Sequence, residues 1–144
     1  MANILKGLTL MNTIDFLKTL YLGDRYCTKM VINGIDNNFE IHINCISRIR
    51  DILGKWNFYT TEDIENGIIV IDGVKKIIFD QSGLLPNDEI YDIYAKQISH
   101  NLYEFTIEAS HVDDNSMTHD LTIKVIGESV YLIDPKKPTM KIIN

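Results

Sequence analysis

Residues 26–50 read YCTKMVINGIDNNFEIHINCISRIR, and the reading of this stretch decides the fold. In its second half Phe39, Ile41, Ile43 and Cys45 fall on one face, with Glu40, His42 and Asn44 on the other. A period of two residues marks a strand with one buried face and one wet face. In the first half Met30, Val31 and Ile32 are apolar on both faces, so that run shows no simple alternation. Between the halves lies Asn33-Gly34-Ile35-Asp36-Asn37-Asn38, rich in residues that tolerate positive φ and bond to their own backbone. The stretch reads as an antiparallel hairpin that opens a mostly β protein.

Upstream, residues 1–11 carry no periodic signal and read as a loose arm or a short edge element. Organised sequence begins at Asn12, which makes Met11 a candidate alternative start. Residues 12–22 predict a helix. Asn12 suits the N-cap, Asp15 takes the capping-box position, and Ile14, Leu17, Leu20 and Tyr21 share one face. Gly23 suits the position just past the helix end, where φ is positive. A helix of about three turns is marginal alone, so it must pack on the sheet.

Downstream, residues 47–54 fit either a continued strand or a helical turn ended by Gly54. Ile68-Ile69-Val70-Ile71 is a β-branched run of the kind buried on both faces. Asp72-Gly73 then predicts a tight hairpin turn, with residues 74–79 as the returning strand. A longer hairpin follows, 90–98 up and 102–110 down. In it Tyr103, Phe105, Ile107 and Ala109 oppose Glu104, Thr106 and Glu108. Leu121, Ile123 and Val125 alternate with Thr122 and Lys124, and residues 129–133 form a last short strand before Pro135. The tail, 139–144, is a candidate edge strand. About eight strands joined by tight turns predict a mainly β (α+β) single domain over residues 1–144. The architecture expected is an antiparallel sandwich or partly open barrel with one N-terminal helix. Sequential hairpins favour a meander.

The composition bounds the function. A chain of 144 residues with 45% hydrophobic content can build one continuous core. A net charge of −6 with no concentrated Lys or Arg argues against nucleic acid and against an anionic membrane surface. Cys27 and Cys45 lie on the two arms of the opening hairpin; two cysteines make no disulfide scaffold, and they read as free thiols used as small hydrophobes. There is no signal-peptide pattern and no run long enough to span a bilayer, which points to the cytoplasm.

No nucleophile elbow, phosphate loop or paired catalytic acids occur, so no catalytic residue and no cofactor is assigned. The densest set of metal-ligand types is His111, Asp113, Asp114, His119 and Asp120, but the spacing fits no closed motif, and a polar connection between strands explains it equally. His42 reads as a solvated histidine. Arg48, Arg50, Trp56, Phe58 and Tyr59 gather the residue types enriched in interface hot spots, and so form the candidate binding surface. The competing explanation places Trp56 and Phe58 in the core and the arginines in solvent.

Three phrases carry a resemblance: TIDFLKTLYLGDRYCTKMVING (13–34), ISRIRD followed by KWNFYTTEDIENG (46–51 and 55–67), and LLPNDEI (84–90). They resemble a small uncharacterised bacterial domain family, similar to the immunity-type proteins that accompany secreted toxins. The resemblance implies a bacterial cytoplasmic protein and leaves activity open. The leading expectation is a non-enzymatic, immunity-like module that binds a protein partner. A small-ligand or lipid-binding β domain comes second, since it requires an apolar cavity between sheets. A metal-dependent enzyme using His111 and His119 comes third.

Overall fold

The computed structural model describes residues 4–5, 8–9, 12–48 and 63–144. In chain order the elements are β1 (Ile4–Leu5), β2 (Leu8–Thr9), α1 (Thr13–Lys18), β3 (Leu20–Tyr21), β4 (Arg25–Asn33), β5 (Asn38–Ile43), β6 (Cys45–Arg48) and β7 (Asp63–Glu65). They continue with β8 (Ile68–Asp72), β9 (Lys76–Phe79), β10 (Glu89–Ser99), β11 (Leu102–Val112), β12 (Thr118–Gly127), β13 (Ser129–Ile133) and β14 (Lys141–Ile142).

One nine-stranded antiparallel sheet dominates, in the order β14-β13-β8-β5-β4-β10-β11-β12-β9. Strand β4 belongs to two halves of it. Arg25 and Tyr26 pair with β10, whereas Cys27 to Asn33 pair with β5, with a register shift between Cys27 and Lys29. Such a bulge bends a strand and sharpens its twist. The two halves form a sandwich-like structure that is not closed into a barrel. Phe39, Ile41, Ile43, Ile69 and Ile71 from one half and Phe105, Ile107, Ile123 and Val125 from the other are all essentially excluded from solvent and belong to one core cluster. Strands β3, β6 and β7 make a separate small sheet, and β1 pairs with β2.

The opening hairpin is present: β4 pairs with β5 across the turn at 34–37, where Asn37 takes φ +54°. Phe39, Ile41 and Ile43 form its buried face. That face stops there, because the chain bends at Asn44 and the phase changes. Ile46 rather than Cys45 is the next fully buried residue. Cys27 lies opposite Ile43, and both cysteines are free thiols.

The helix is shorter than the spacing predicts. Its start is as expected: the Asn12 side chain accepts the Asp15 backbone N–H at 2.8 Å and donates to the Asp15 carboxylate at 2.9 Å. It ends at Lys18, however, because Leu20 and Tyr21 pair with Arg48 and Ser47 as strand β3. The positive φ in the turn that follows belongs to Asp24, not Gly23. Phe16 and Leu17 are the helix residues buried in the core.

Residues 68–79 are not a hairpin. Strand β8 lies between β5 and β13, and Ile69, Val70 and Ile71 are all buried, while β9 pairs with β12 in the other half. Gly73, at φ +61°, hands the chain from one half to the other. The chain returns after Gly127, since β13 pairs with β8 and not with β12. The topology is therefore not a meander, although β10, β11 and β12 do run as one. The tail contributes β14, paired on the edge of β13.

Candidate functional site

The two halves of the sheet part beyond Tyr26, and the parting leaves a cleft between β4 and β9. Past Tyr26, among the described residues, β4 pairs only with β5, and β9 pairs only with β12. At one end the opening is bridged where the Val74 N–H donates to the Asn37 carbonyl at 2.8 Å. At the other, the Cys27 N–H donates to the Asp88 carbonyl at 3.0 Å. The result is a framed window, not an open groove.

Directly opposed residues in an antiparallel pair share a face. Ile32 lies opposite the buried Phe39, and Phe79 lies opposite the buried Ile123, so both side chains face inward. Yet each is 57% exposed. Inward-facing apolar side chains left in water mean that the core is uncovered there. The space beside them has a volume of about 500 Å³, within the range of about 300–1,000 Å³ typical of ligand pockets. Its wall is mostly apolar: Met30, Ile32, Phe39, Phe79, Leu84, Leu85, Pro86, Leu121 and Ile123, with Thr28, Lys29, Asp80, Asn87 and Thr122 as polar members. A smaller recess of about 210 Å³ continues past Ile32 toward Val74, Lys75 and Lys76.

The loop between β9 and β10 is built as a rim. Asp80 accepts the Thr122 N–H at 2.8 Å, the Ser82 N–H at 3.0 Å and the Ser82 hydroxyl. These bonds, the Ser82 hydroxyl first, hold its carboxyl below the usual carboxylate range, so it is ionised at neutral pH. The His111 ring Nδ1–H donates to the Leu85 carbonyl at 2.7 Å. Asn87 exchanges two hydrogen bonds with the backbone of Val112, at 2.8 and 3.1 Å. The Ser110 hydroxyl, fully buried, donates to the Asp88 carboxylate at 2.9 Å.

His111 is thus a tether of the rim. His119 lies opposite it on β12, with ring centroids 6.3 Å apart, and its Nε2 bonds Asp113 at 2.7 Å. Asp113 also accepts the Met117 and Asn115 N–H groups, both at 2.9 Å, and so organises the β11–β12 turn. His119 is the first cause of its lowered carboxyl pKa. Asp114 and Asp120 are exposed. Among the described residues, no three His, Cys, Asp or Glu side chains are grouped to hold a metal ion. His42 is more covered than a solvated histidine, with its Nε2 at 2.8 Å from Glu40.

Of the candidate binding surface, Arg50, Trp56, Phe58 and Tyr59 lie outside the described residues. Arg48 is 3% exposed. Its guanidinium donates to the Thr19 hydroxyl at 3.0 and 3.3 Å and lies 5.2 Å from the Phe16 ring centroid. It faces the helix rather than solvent. Beside it the Arg25 guanidinium donates to Ser47 at 2.7 Å, and Ser47 donates to Asp63 at 2.6 Å, which ties β4, β6 and β7 together.

Sequence reasoning missed the cleft because the runs holding Ile32 and Phe79 show no clean alternation, so neither residue was assigned a face. Two signals pointed to it. Met30-Val31-Ile32 is apolar on both faces, and Leu84-Leu85 sits in a loop. Residues of that kind outside a sheet interior need a reason to be apolar.

No helix of the described residues is long and apolar enough to cross a membrane. No curated protein and no solved structure matches the chain. Residues 11–144, however, match the model of DUF6258, a family of unknown function, and the chain belongs to that family.

Proposed function

We propose that this chain is a non-enzymatic binding protein whose cleft between β4 and β9 takes a small apolar ligand. One observation carries the reading: Ile32 and Phe79 face inward and are still 57% exposed beside a space of about 500 Å³. Covering such surface gains about 25 cal/mol per Å² of apolar area removed from water. The rim is held by side chain–backbone bonds from Asp80, Asn87 and His111, so the opening needs no ordering when a ligand enters. Titration with an environment-sensitive apolar dye tests it. The native protein brightens the dye, and Ile32→Trp, which fills the mouth, abolishes the effect. Equal brightening by both proteins sinks the reading.

A second reading is favoured by the edges of β4 and β9 that face the cleft, which no other strand among the described residues pairs. Free strand edges are places where a partner's extended segment adds to a sheet. On this reading the chain is a bacterial cytoplasmic, immunity-like protein, and the partner is a toxin-like protein. Mixing the chain with the product of a toxin gene beside its own, then measuring the complex by size-exclusion chromatography, tests it. Absence of a complex that Ile32→Pro weakens removes the support.

A further inference from the structure

The edge that β4 turns to the cleft carries backbone groups as well as apolar side chains, and these narrow the class of ligand. Along an antiparallel strand, successive residues point their N–H and C=O groups to opposite neighbours. On β5 the Ile43 N–H donates at 3.0 Å to the carbonyl of Gly67, just before β8, so Ile41 and Phe39 also bond toward β8. Their opposites on β4, Met30 and Ile32, therefore direct N–H and C=O away from β5 and into the cleft. No other strand among the described residues pairs them. Their side chains face inward, opposite the buried Ile41 and Phe39, and both line the larger space. From β9 that space takes only Phe79, so β4 is the longer edge on offer. Thr28, Asp80 and Asn87, polar members of the lining, are already bonded to His42, to Ser82 and Thr122, and to Val112.

We propose that the cleft takes a short peptide with apolar first and third residues, lying antiparallel along β4 as an added strand. This rests on the apolar-ligand reading above and adds the peptide backbone. A residue opposite Met30 exchanges both backbone hydrogen bonds with it, and the residue two positions away does the same with Ile32. Opposed residues share a face, so those two side chains enter the apolar space while the middle one points out. The frame bounds the length. The Val74–Asn37 bond closes one end of the window and the Cys27–Asp88 bond the other, so a long segment does not run through in the plane of the sheet.

Nuclear magnetic resonance titration of the full chain with acetyl-Leu-Ser-Leu-amide tests it. The Met30 and Ile32 amide signals should shift on binding. N-methylation of the third residue, whose N–H faces β4, should weaken binding about fivefold or more. N-methylation of the serine, whose N–H faces away, should cost about twofold at most. If the two methylated peptides bind alike, or in the reverse order, the proposed pairing is overturned. If Ile32→Trp binds the parent peptide as well as the native chain does, uptake is elsewhere and the proposal fails. If the native chain brightens the apolar dye and does not bind the peptide, the peptide backbone is overturned and the apolar cleft stands. If it does neither, both fall.

Discussion

Phe79 and Phe105 occupy equivalent inward faces of β9 and β11, the two strands that flank β12, and truncating each to alanine should have very different effects. Phe79 pairs opposite Ile123 and Phe105 opposite Val125, both buried partners. Phe105 is 0% exposed, and removing a fully packed phenylalanine costs about 3–5 kcal/mol through lost transfer energy and a residual cavity. Phe79 is 57% exposed, so roughly two-fifths of its surface is covered. Full burial of such a side chain is worth about 1.5–3 kcal/mol, which leaves about 0.6–1.3 kcal/mol to lose. No cavity term is added, because the space beside it is already open. Urea unfolding followed by tryptophan fluorescence and circular dichroism gives both values from one linear extrapolation. For a domain of this size, each kcal/mol corresponds to about 3–5 °C in Tm. A loss for Phe79→Ala that equals the loss for Phe105→Ala would refute the reasoning. It would mean that the half-sheets close over the cleft in solution and that Ile32 and Phe79 are ordinary core.

Three further outcomes follow from the geometry. A Cβ on Gly127 would lie 2.8 Å from Ile71 and 3.2 Å from the Asp72 carbonyl, in the other half. Gly127→Ala should destabilise by about 1–3 kcal/mol, read as a lowered urea midpoint. Burial pushes the Cys27 thiol up to about 11. At pH 8 only about one part in a thousand is thiolate, so a disulfide reagent should modify Cys27 at the rate of unfolding and not before. Its folded value is raised, so its contribution to stability is whole below the free-thiol value and is lost as pH rises toward 11. Asp80 has the opposite sign. Its folded value is depressed below 3.8, so its contribution is present above that pH and is lost as pH falls through the folded value. Asp80→Asn should flatten the acid limb of the stability curve and speed amide exchange at Ser82 and Thr122.

What could be read in the sequence was what is local. The hairpin of β4 and β5, the Asn12 cap and the inward run of Phe105, Ile107 and Ala109 depend on residues a few positions apart, and each is present. Asp72-Gly73 shows where such reasoning stops. The dipeptide sets a turn, but whether the next strand pairs back or crosses to another sheet depends on distant partners, here β13 for β8 and β12 for β9. The helix end failed for the same reason, since Leu20 and Tyr21 have helical spacing and yet pair with Ser47 and Arg48. Arg48 had the residue type of a contact surface, and its surroundings, Thr19 and Phe16, buried it. The cleft was the least legible. An inward-facing residue with nothing opposite it looks the same in sequence as one that is packed.

The path of the chain between the half-sheets also has a consequence in time. Strand β8 gains its outer neighbour only when residues 129–133 pair along it. During synthesis at about 5–20 residues per second, roughly 60 residues must follow before that neighbour exists, a wait of several seconds. Throughout it, Ile68-Ile69-Val70-Ile71 presents an apolar, β-branched edge with no charge until Asp72. Such an edge pairs readily with other chains. The nascent protein is therefore most vulnerable to aggregation in its middle third, and a chain stalled before residue 129 should be a stronger substrate for chaperones than one stalled after residue 133.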